Sequence, residues 1–413
     1  MDTDVAIIGA GVIGVSAAFR LQEAGLRVTL IERDGVGRGA SFGNAGALAF
    51  DDIEPLASPG ALRQAPRWLA DPLGPLSLPP AYLPAIAPWL WRFFRAANPR
   101  TYAQGLATQA GMMRLASAES ASLVEAADLA HMIRADGALD LYETRAEFEA
   151  ARPIREARRA HGIAHRILDR DAIDDLQPGL APDFAQGVFS PGWRAVSDPF
   201  DYVRALATAA MGRGAEVRKG EAAAVIPEGE TVTVRLREGG TVTAGHALIA
   251  AGAWSKPLIE PLGEKAPLET ERGYNTTLPP GAFDLRRHIT FPTHGFVVSR
   301  LSSGIRVGGA VELAGLKRAP DFRRAETMLA KARRFLPGLE TGGGTQWMGF
   351  RPSMPDSIPA IGAVAGAPRV LYAFGHGHLG LTQSSGTARL IADLALGRPP
   401  ALDLAPFSLS RFA

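Results

Sequence analysis

Three glycines near the start of the chain have the spacing that binds a dinucleotide. Gly9, Gly11 and Gly14 form a G-x-G-x-x-G pattern directly after the apolar run Val5–Ile8. The first glycine permits a tight turn, the second lets the backbone approach a pyrophosphate, and the third lets helix and strand pack closely. Glu32 follows 18 residues after Gly14, where a carboxylate can accept hydrogen bonds from ribose hydroxyls. Because that carboxylate would repel a 2′-phosphate, the pattern favours FAD or NAD over NADP.

The residues around these glycines predict a strand–helix–strand unit that positions them. Val5–Ile8 is typical of a buried parallel strand. Ala17, Leu21 and Ala24 repeat at helical spacing, and Val28–Ile31 predicts the second strand. The free N–H groups and the positive dipole end of such a helix attract phosphates. Since strand, helix, second strand and acidic residue are all present, we interpret the motif as Rossmann-type; a glycine turn in another α/β protein is the alternative.

Two further loops and one strand end could approach the same ligand. Residues 33–46, RDGVGRGASFGNAG, are rich in glycine and small polar residues and predict a loop in close contact with a ligand; a flexible connector is the alternative. Residues 247–255, ALIAAGAWS, predict a buried strand that ends in small residues and a turn. GHGHLGLT at 375–382 predicts a turn before a last helix over 386–396.

The composition limits the function classes. The chain has 413 residues, enough for two domains, with 46% hydrophobic residues and a formal net charge of +2. Neither this charge nor any Lys/Arg-rich run argues for a nucleic-acid partner. The chain has no cysteine, which excludes disulfides, thiolate metal sites and thiol redox chemistry. His161 and His165 match no ligand motif, so no metal site is predicted.

The amino terminus and the apolar segments bear on location. The chain enters its first predicted strand without a signal-peptide pattern, and no apolar run reaches about 18 residues. A cytoplasmic location is therefore expected. Residues 55–99 are dense in proline and aromatic residues, and we expect them to be core of a second domain. A lid or wall over the substrate site, or a peripheral contact with the inner membrane face, are the alternatives.

Two segments near the carboxyl end resemble a known family. Residues 349–362, GFRPSMPDSIPAIG, are similar to the G-x-R-P-x-x-x-D-x-x-P-x-I-G segment of the FAD-dependent D-amino-acid oxidase and dehydrogenase family. Residues 375–382 resemble that family's C-terminal flavin loop, and residues 44–46 resemble its Asn-Ala-Gly segment against the flavin ring. With Arg-Gly-Tyr at 272–274 and the amino-terminal motif, the resemblance covers most of the chain. The chain length and the S-x-G-N-A-G pattern lean toward the bacterial D-amino-acid dehydrogenase branch, including hydroxyproline-type enzymes.

The resemblance implies an α/β fold (α+β overall) with two domains. The first is a Rossmann-type FAD-binding domain of discontinuous segments, 1–54, 196–268 and 346–413. The second is a substrate domain, 55–195 and 269–345, with a large, mostly antiparallel sheet and helices. Because the chain has no cysteine and no histidine before His131, we expect the FAD to be bound non-covalently.

The predicted cofactor-binding residues come from these motifs and from the strand and turn that the resemblance places beside them. A serine at the place of Ser41 is implied to contact phosphate, and the N–H groups of the last glycine-rich turn could stabilise negative charge on the flavin. In chain order the set is Gly9, Gly11, Val12, Ile13, Gly14, Glu32, Arg33, Ser41, Asn44, Ala45, Gly46, Ala223, Ala251, Gly252, Gly375, Gly377, Leu379, Gly380, Leu381 and Thr382.

Four residues are candidates for the substrate site. The resemblance implies that Arg351 binds the substrate carboxylate, which a guanidinium can hold with two parallel hydrogen bonds; a structural ion pair with Asp356, or a strand cap, is the alternative. Tyr274 is a candidate pocket residue, with ordinary sheet packing as the alternative. His376 and His378 could line the pocket or serve packing. We do not expect a general base, because the amine enters neutral and a hydride leaves Cα.

The expected reaction is the FAD-dependent oxidation of a D-amino acid to an imino acid, which then hydrolyses to a 2-oxo acid and ammonia. A proline- or hydroxyproline-type substrate would instead give a ring imine. The alternatives are an oxidase of glycine, sarcosine or an opine, a flavin-binding subunit of a larger assembly, and an NAD-dependent enzyme. The partners implied are a small amino-acid substrate and an electron acceptor, which is left open among a quinone, an electron carrier and oxygen.

Overall fold

The computed structural model describes residues 1–71 and 73–413. In chain order its strands are β1 (Thr3–Ile8), β2 (Val28–Glu32), β3 (Ala47–Leu48), β4 (Leu76–Ser77), β5 (Ile133–Arg134), β6 (Ala138–Tyr142), β7 (Arg166–Leu168), β8 (Gln186–Ser190), β9 (Arg194–Val196), β10 (Glu216–Lys219), β11 (Ala222–Glu228), β12 (Thr231–Leu236), β13 (Thr241–Ile249), β14 (Glu269–Leu278), β15 (His288–Phe291), β16 (Phe296–Leu301), β17 (Gly304–Leu313), β18 (Thr345–Ser353), β19 (Ala360–Val364) and β20 (Ala367–Phe374).

The α-helices alternate with these strands. They are α1 (Val12–Glu23), α2 (Pro59–Ala70), α3 (Leu83–Ala96), α4 (Pro99–Ala126), α5 (Arg145–Ala150), α6 (Arg152–Ala160), α7 (Arg170–Leu176), α8 (Pro199–Gly212), α9 (Lys256–Ile259), α10 (Arg323–Phe335) and α11 (Gly380–Ala395). Short 3₁₀ turns lie at Pro80–Tyr82, Ala130–Met132, Gly252–Trp254, Glu260–Leu262, Pro292–His294, Ala405–Phe407 and Leu409–Phe412.

The first sheet has the Rossmann-type arrangement that the amino-terminal motif predicts. Its strands run in the order β10-β2-β1-β13-β12-β11, with β20 beside β13 and β19 beside β20. Strands β10, β2, β1, β13 and β20 pair in parallel. Ile8 is aligned with Ile31 on one side and with Ile249 on the other. Three strands therefore end at one edge of the sheet, which is the edge where the glycine motif begins.

Helices cover both faces of this sheet, as parallel strands require. Phe19 of α1, Leu206 of α8 and Leu390 of α11 belong to one buried cluster. Tyr372 and Ile259 belong to the cluster on the other face. Because both faces of the sheet are buried, the sequences of its strands are nearly continuous apolar runs, as in β1.

The second sheet is mostly antiparallel, as expected. Its strands run in the order β18-β14-β17-β16-β15-β6-β8-β7, with β4 beside β17. Only the pairs β6–β15 and β4–β17 are parallel among the described strands of this sheet. Strand β18, predicted as part of the FAD-binding segment 346–413, pairs with β14 in this second sheet. The division of the chain into two domains at the predicted bounds stays a prediction.

The register between β14 and β18 sets which side chains share a face. Glu271 lies opposite Arg351, and Gly273 lies opposite Gly349. Directly opposed residues of antiparallel strands point to the same side of the sheet. The side chain of Arg351 crosses Gly273, where an added Cβ would lie 2.3 Å from its Cζ. A glycine at position 273 is therefore required to let the arginine lie flat on the sheet.

Some helix boundaries differ from the expected ones. The charged segment 145–160 forms two helices rather than one, because α5 ends at Ala150 and α6 begins at Arg152. Pro153 has no N–H group to continue the hydrogen-bond ladder, so the chain breaks there. The long helix α4 begins at Pro99, since the Asn98 side chain accepts from the first-turn N–H groups. The last helix begins six residues earlier than expected, at Gly380.

The aromatic segment 55–99 divides its side chains between core, cavity wall and surface. Ile86 and Trp89 are buried against Leu313, whereas Trp91 and Phe94 are 60% and 56% exposed. The core expectation holds for one face of α3 only. Pro72, within this segment, lies outside the described residues. Among the helices of the described chain, none is both long and apolar enough to cross a bilayer.

Candidate functional site: a cavity between the two sheets

A large cavity extends from the carboxyl edge of the first sheet to one face of the second. Its volume is about 1260 Å³, which exceeds the roughly 300–1,000 Å³ of an ordinary small-molecule pocket. All of the predicted site residues line it except Gly14, Gly46 and Gly375. Motifs that are more than 300 residues apart in the sequence therefore meet in one space.

The glycine motif forms one end of this cavity. Gly9 has a φ of +104°, and an added Cβ would lie 2.5 Å from the carbonyl oxygen of Ala250. At Gly14 an added Cβ would lie 1.9 Å from the carbonyl oxygen of Gly9. Neither position has room for a side chain. Helix α1 therefore starts directly against the strand ends, and its first N–H groups, which have no partners within the helix, face the cavity.

Ser41 and Glu32 complete this end. The Ser41 Oγ accepts a hydrogen bond from the Val12 N–H at 3.0 Å, so the loop that carries it is attached to the start of α1. The Glu32 carboxylate accepts from the N–H groups of Ala10 and Asp34, both at 2.8 Å. These bonds hold the carboxylate at the end of β2, where it lines the cavity.

Arg33 and the turn after β13 lie next to this carboxylate. The Arg33 guanidinium lies 4.2 Å from the centre of the Trp254 ring, a cation–π contact at the cavity wall. Ala251 and Gly252 open the 3₁₀ turn that carries Trp254. Ala223 of β11 lines the same region. The predicted return of this strand beside the opening motif is present in the structure.

The loop at 41–46 is held from the second sheet. The Arg306 Nη1 donates to the Asn44 carbonyl oxygen at 2.5 Å, and the Asn275 Nδ2 donates to the Gly43 carbonyl oxygen at 2.9 Å. Within the loop, the Asn44 Oδ1 accepts from the Gly46 N–H at 2.8 Å. Gly46 has a φ of +76°. The loop is therefore held as a wall of the cavity, which favours the interpretation as a ligand-contacting loop over that of a flexible connector.

The loop before α11 forms the opposite wall. Gly375 and Gly377 have positive φ values of 83° and 55°, and the chain then turns into the first residues of α11. The Thr382 Oγ1 accepts from the Ala49 N–H at 3.0 Å, which joins this helix to the chain just after the 41–46 loop. Because α11 begins at Gly380, its positive dipole end lies at the cavity.

Arg351 lies in the wall formed by the second sheet. Its Nη1 donates to the Ala310 carbonyl oxygen at 2.8 Å and its Nη2 to that of Gly309 at 3.3 Å. The pKa of Arg351 lies below its usual value, because burial lowers it by more than the nearby charge of Glu271 raises it. Asp356 does not serve as its partner, since it accepts from the Arg411 Nε at 2.7 Å. The alternative of an Arg351–Asp356 ion pair is therefore wrong.

The hydroxyl of Tyr274 is engaged inside the protein. It donates to the Glu312 carboxylate at 2.6 Å and accepts from the Asp321 N–H at 3.1 Å. Glu312 also pairs with the fully buried Arg272, at 3.2 Å. Burial, together with the bond to Glu312, raises the pKa of Tyr274 to about 12. The geometry therefore favours the packing alternative for its side chain.

The two histidines of the last loop have different surroundings. His376 is buried, with its Nε2 at 3.0 Å from the Thr387 Oγ1, and burial lowers its pKa to about 3. His378 is partly exposed, with its Nε2 at 3.4 Å from the Asp52 carboxylate. Burial alone would raise the pKa of Asp52. The hydrogen bond and charge of His378, together with the charge of Arg158, lower this pKa by more, so that it lies below its usual value.

The sequence analysis missed several residues that shape the cavity. Arg306 and Asn275 are two of them. A third is Trp347, whose ring lies over two glycines: an added Cβ would be 2.0 Å from the ring at Gly43 and 1.8 Å at Gly349. Glu271 also lines the cavity. The signal available in the sequence was the density of polar residues along β14 and β18, which alone does not indicate a ligand.

These features fit FAD. One end of the cavity supplies glycines without room for Cβ atoms, free helix N–H groups and an acidic strand end, which suit a pyrophosphate and a ribose. The other end supplies two ordered loops and Arg351. The volume leaves space for a dinucleotide and a small carboxylate side by side. Among the described residues no cluster of His, Asp or Glu could hold a metal ion.

Comparisons with known proteins agree with this description. The model of the FAD dependent oxidoreductase (DAO) family matches residues 4–394. A D-amino-acid oxidase of Bradyrhizobium diazoefficiens is 36% identical, over 99% of this chain and 98% of its own. A D-amino acid dehydrogenase of Allorhizobium ampelinum is 32% identical over the same shares. The crystal structure of glycine oxidase from Geobacillus kaustophilus superposes with a TM-score of 0.76 at 25% identity, covering 99% of this chain and 98% of its own.

The family match and the full-length relatives confirm the resemblance, the fold class and the FAD cofactor that the sequence predicted. The chain belongs to the DAO family of FAD-dependent oxidoreductases.

Proposed function

We propose that the chain is a D-amino-acid dehydrogenase or oxidase that converts its substrate to an imino acid. The observation that carries the proposal is Arg351, a guanidinium in the wall of the FAD-sized cavity with no carboxylate within ion-pair distance in the described chain. The names of the full-length relatives support the same substrate class. The glycine motif, Glu32 and the loops at 41–46 and 375–382 would hold FAD, which would supply the two-electron oxidant for the substrate. Hydrolysis of the imino acid would then give a 2-oxo acid and ammonium.

The residues of the second sheet orient the substrate. The Arg351 guanidinium is held flat by the carbonyl oxygens of Gly309 and Ala310, and its remaining N–H groups are available to a carboxylate. In the partly buried cavity this charge-assisted pair is stronger than it would be in water. The apolar rings of Trp89 and Trp347 line the same space and exclude water from it.

The last loop supplies electrostatic support rather than a base. His376 is neutral at physiological pH, since its pKa is about 3, and its Nε2 is engaged with Thr387. The start of α11 presents N–H groups and a positive dipole end to the cavity, which stabilise negative charge there.

An anaerobic visible spectrum tests the function. We expect a flavin spectrum that bleaches on addition of D-amino acids and not of their L-enantiomers. Bleaching by D-proline or hydroxyproline would identify a narrower, proline-type substrate class. Oxygen consumption then separates an oxidase from a dehydrogenase that needs a quinone or another electron carrier. Bleaching by glycine, sarcosine or an opine alone would instead support the second candidate, an amine oxidase like the glycine oxidase of similar structure.

We also propose that α2 and α3 contact a membrane surface. Trp91 and Phe94 are exposed and stacked at 5.8 Å, and Leu69 of α2 is exposed as well. Residues 55–100 contain five arginines and one acidic residue, which suits an anionic bilayer.

Co-sedimentation with vesicles tests this contact. The wild-type chain should pellet with phosphatidylglycerol-containing vesicles and not with neutral ones. Replacing Trp91 and Phe94 by serine should abolish this, whereas Ile167→Ser, at another exposed apolar residue, should not. Equal binding by the two variants would contradict the proposal.

A further inference from the structure

Glu271 is a buried carboxylate in the wall of the candidate site. It lies on β14 directly opposite Arg351 on β18, so both side chains project from the same face of the sheet. Its residue is 5% exposed, and it lines the large cavity. It also lines a small adjoining cavity together with Glu54 and His378.

The carboxylate of Glu271 has no partner of its own among the described residues. Two other buried acids of the chain are paired: Glu312 with Arg272 and Tyr274, and Asp198 with the Ser303 hydroxyl and the N–H of Phe200. No hydrogen bond or ion pair of this kind reaches Glu271 in residues 1–71 and 73–413. The guanidinium of Arg351 is near enough to influence it by charge but donates to Gly309 and Ala310 instead.

A buried, unpaired carboxylate is costly unless a cation joins it. An amino acid supplies such a cation, because its carboxylate and its ammonium lie a few bonds apart. With the substrate carboxylate on Arg351, a positively charged nitrogen next to it would meet Glu271. The two opposed strand positions thus present one positive and one negative group to a zwitterion.

We propose that Glu271 binds a protonated nitrogen of the amino acid whose carboxylate is held by Arg351. This inference rests on the proposed function and adds a second anchor to the same site. The nitrogen has two possible sources with the same chemistry. One is the α-ammonium, which would then enter protonated rather than neutral and would have to release a proton before hydride transfer. The other is the cation of a lysine- or arginine-type side chain that reaches toward the small acidic cavity.

Ligand binding to the FAD-loaded protein tests the proposal. The wild type and Glu271→Gln are mixed anaerobically with D-amino acids, and the concentration that gives the half-maximal rate of flavin bleaching measures their binding. Carboxylic acids of the same skeleton that lack nitrogen are titrated by the change that they cause in the spectrum of the oxidised flavin. Glu269→Gln serves as the control, since Glu269 is on the same strand but bonds to Tyr82 and to its own neighbour's N–H. A matching flavin spectrum and thermal midpoint establish that each variant is folded, and Glu271→Asp replaces the glutamine variant if it is not.

In Glu271→Gln, amino-acid binding should weaken about tenfold or more, the range for a lost hydrogen bond to a charged group. Binding of the nitrogen-free acids should stay unchanged or tighten, because a negative charge next to Arg351 has been removed. If Glu271 meets the α-ammonium, all amino acids weaken; if it meets a side-chain cation, only the basic ones do.

Parallel changes for amino acids and nitrogen-free acids, or no change at all, would overturn the inference and leave the proposed function standing. A wild-type protein that binds neither kind of ligand would overturn both.

Discussion

At the scale of the residue, Arg351 is the side chain that we propose as the anchor of the substrate carboxylate. Its guanidinium is oriented by two carbonyl oxygens, and Gly273 leaves the space in which it lies. Replacement by leucine removes both the charge and the paired donors. Truncating one partner of a buried charged pair costs about 2–5 kcal/mol.

We therefore predict that Arg351→Leu raises KM for the best D-amino acid roughly thirtyfold or more. Arg351→Lys should give a smaller rise, because lysine keeps the charge but not the planar fork. Steady-state kinetics measure both effects. Arg369→Leu, on β20 outside the cavity, is the matched control. An unchanged KM for Arg351→Leu would remove this residue from the site.

The buried histidines predict how stability changes with pH. Burial lowers the pKa of His376 to about 3 and that of His288 to about 4, below the value of about 6.5 in an unfolded chain. Between these values the unfolded state binds more protons than the folded state. Stability is therefore fully present above about pH 6.5 and falls as the pH decreases, by up to about 1.4 kcal/mol per pH unit for each histidine.

The variant His376→Gln, which retains a donor for Thr387, should flatten this dependence between pH 6.5 and pH 4.5. The free energy of unfolding, measured by chemical denaturation at several pH values, checks it. An equal dependence of the unfolding free energy on pH in the variant and the wild type would contradict a lowered pKa of His376 in the folded state. His131→Gln, at an exposed position, should leave the slope unchanged.

At the scale of the element, we expect the close contact of α1 with β1 to determine whether FAD can bind. Gly14 has no space for a Cβ, because the carbonyl oxygen of Gly9 occupies it. By contrast, nothing lies within 4 Å of the Cβ position at Gly111, inside α4. The two helical glycines therefore form a matched pair.

We predict that Gly14→Ala displaces α1 from the strand ends and abolishes or strongly weakens FAD binding, with a loss of about 1–3 kcal/mol of stability from overpacking. Gly111→Ala should instead stabilise the protein by about 0.5–1 kcal/mol, since alanine favours the helix. Flavin content and thermal midpoints compare the two. Full flavin content in Gly14→Ala would contradict the proposed position of the pyrophosphate.

At the scale of the whole molecule, the cavity lies between the two sheets, so FAD should stabilise both. Contacts such as Arg306 to Asn44 and Thr382 to Ala49 join distant segments around it. A ligand that binds only the folded state stabilises it by about 4 kcal/mol at a thousandfold excess over Kd.

We predict that the FAD is released by denaturation and that its removal lowers the thermal midpoint, which added FAD restores. The chain has no cysteine to form a thioether to the flavin. Intact mass under denaturing conditions should equal that of the polypeptide alone. A retained flavin adduct would show that another residue forms a covalent bond.

Local patterns determined much of this protein. The glycine spacing, the apolar strand before it and Glu32 predicted the first βαβ unit, because each is a short-range requirement of a phosphate-binding turn. The start of α8 is likewise set locally, since the Asp198 side chain accepts from the N–H of Phe200. The resemblance at residues 349–362 and 375–382 gave the family, the cofactor and Arg351.

Tertiary structure alone decided the rest. Strand β18 pairs in the second sheet, and the hydroxyl of Tyr274 bonds to Glu312 rather than facing a ligand. Glu271, Arg306 and Trp347 become cavity residues only through strand register, which depends on partners far away in the sequence. Periodicity and composition specify which residues favour a strand or a helix, but the neighbour of each strand is set by packing of the whole chain, and it is that neighbour which brings Glu271 opposite Arg351.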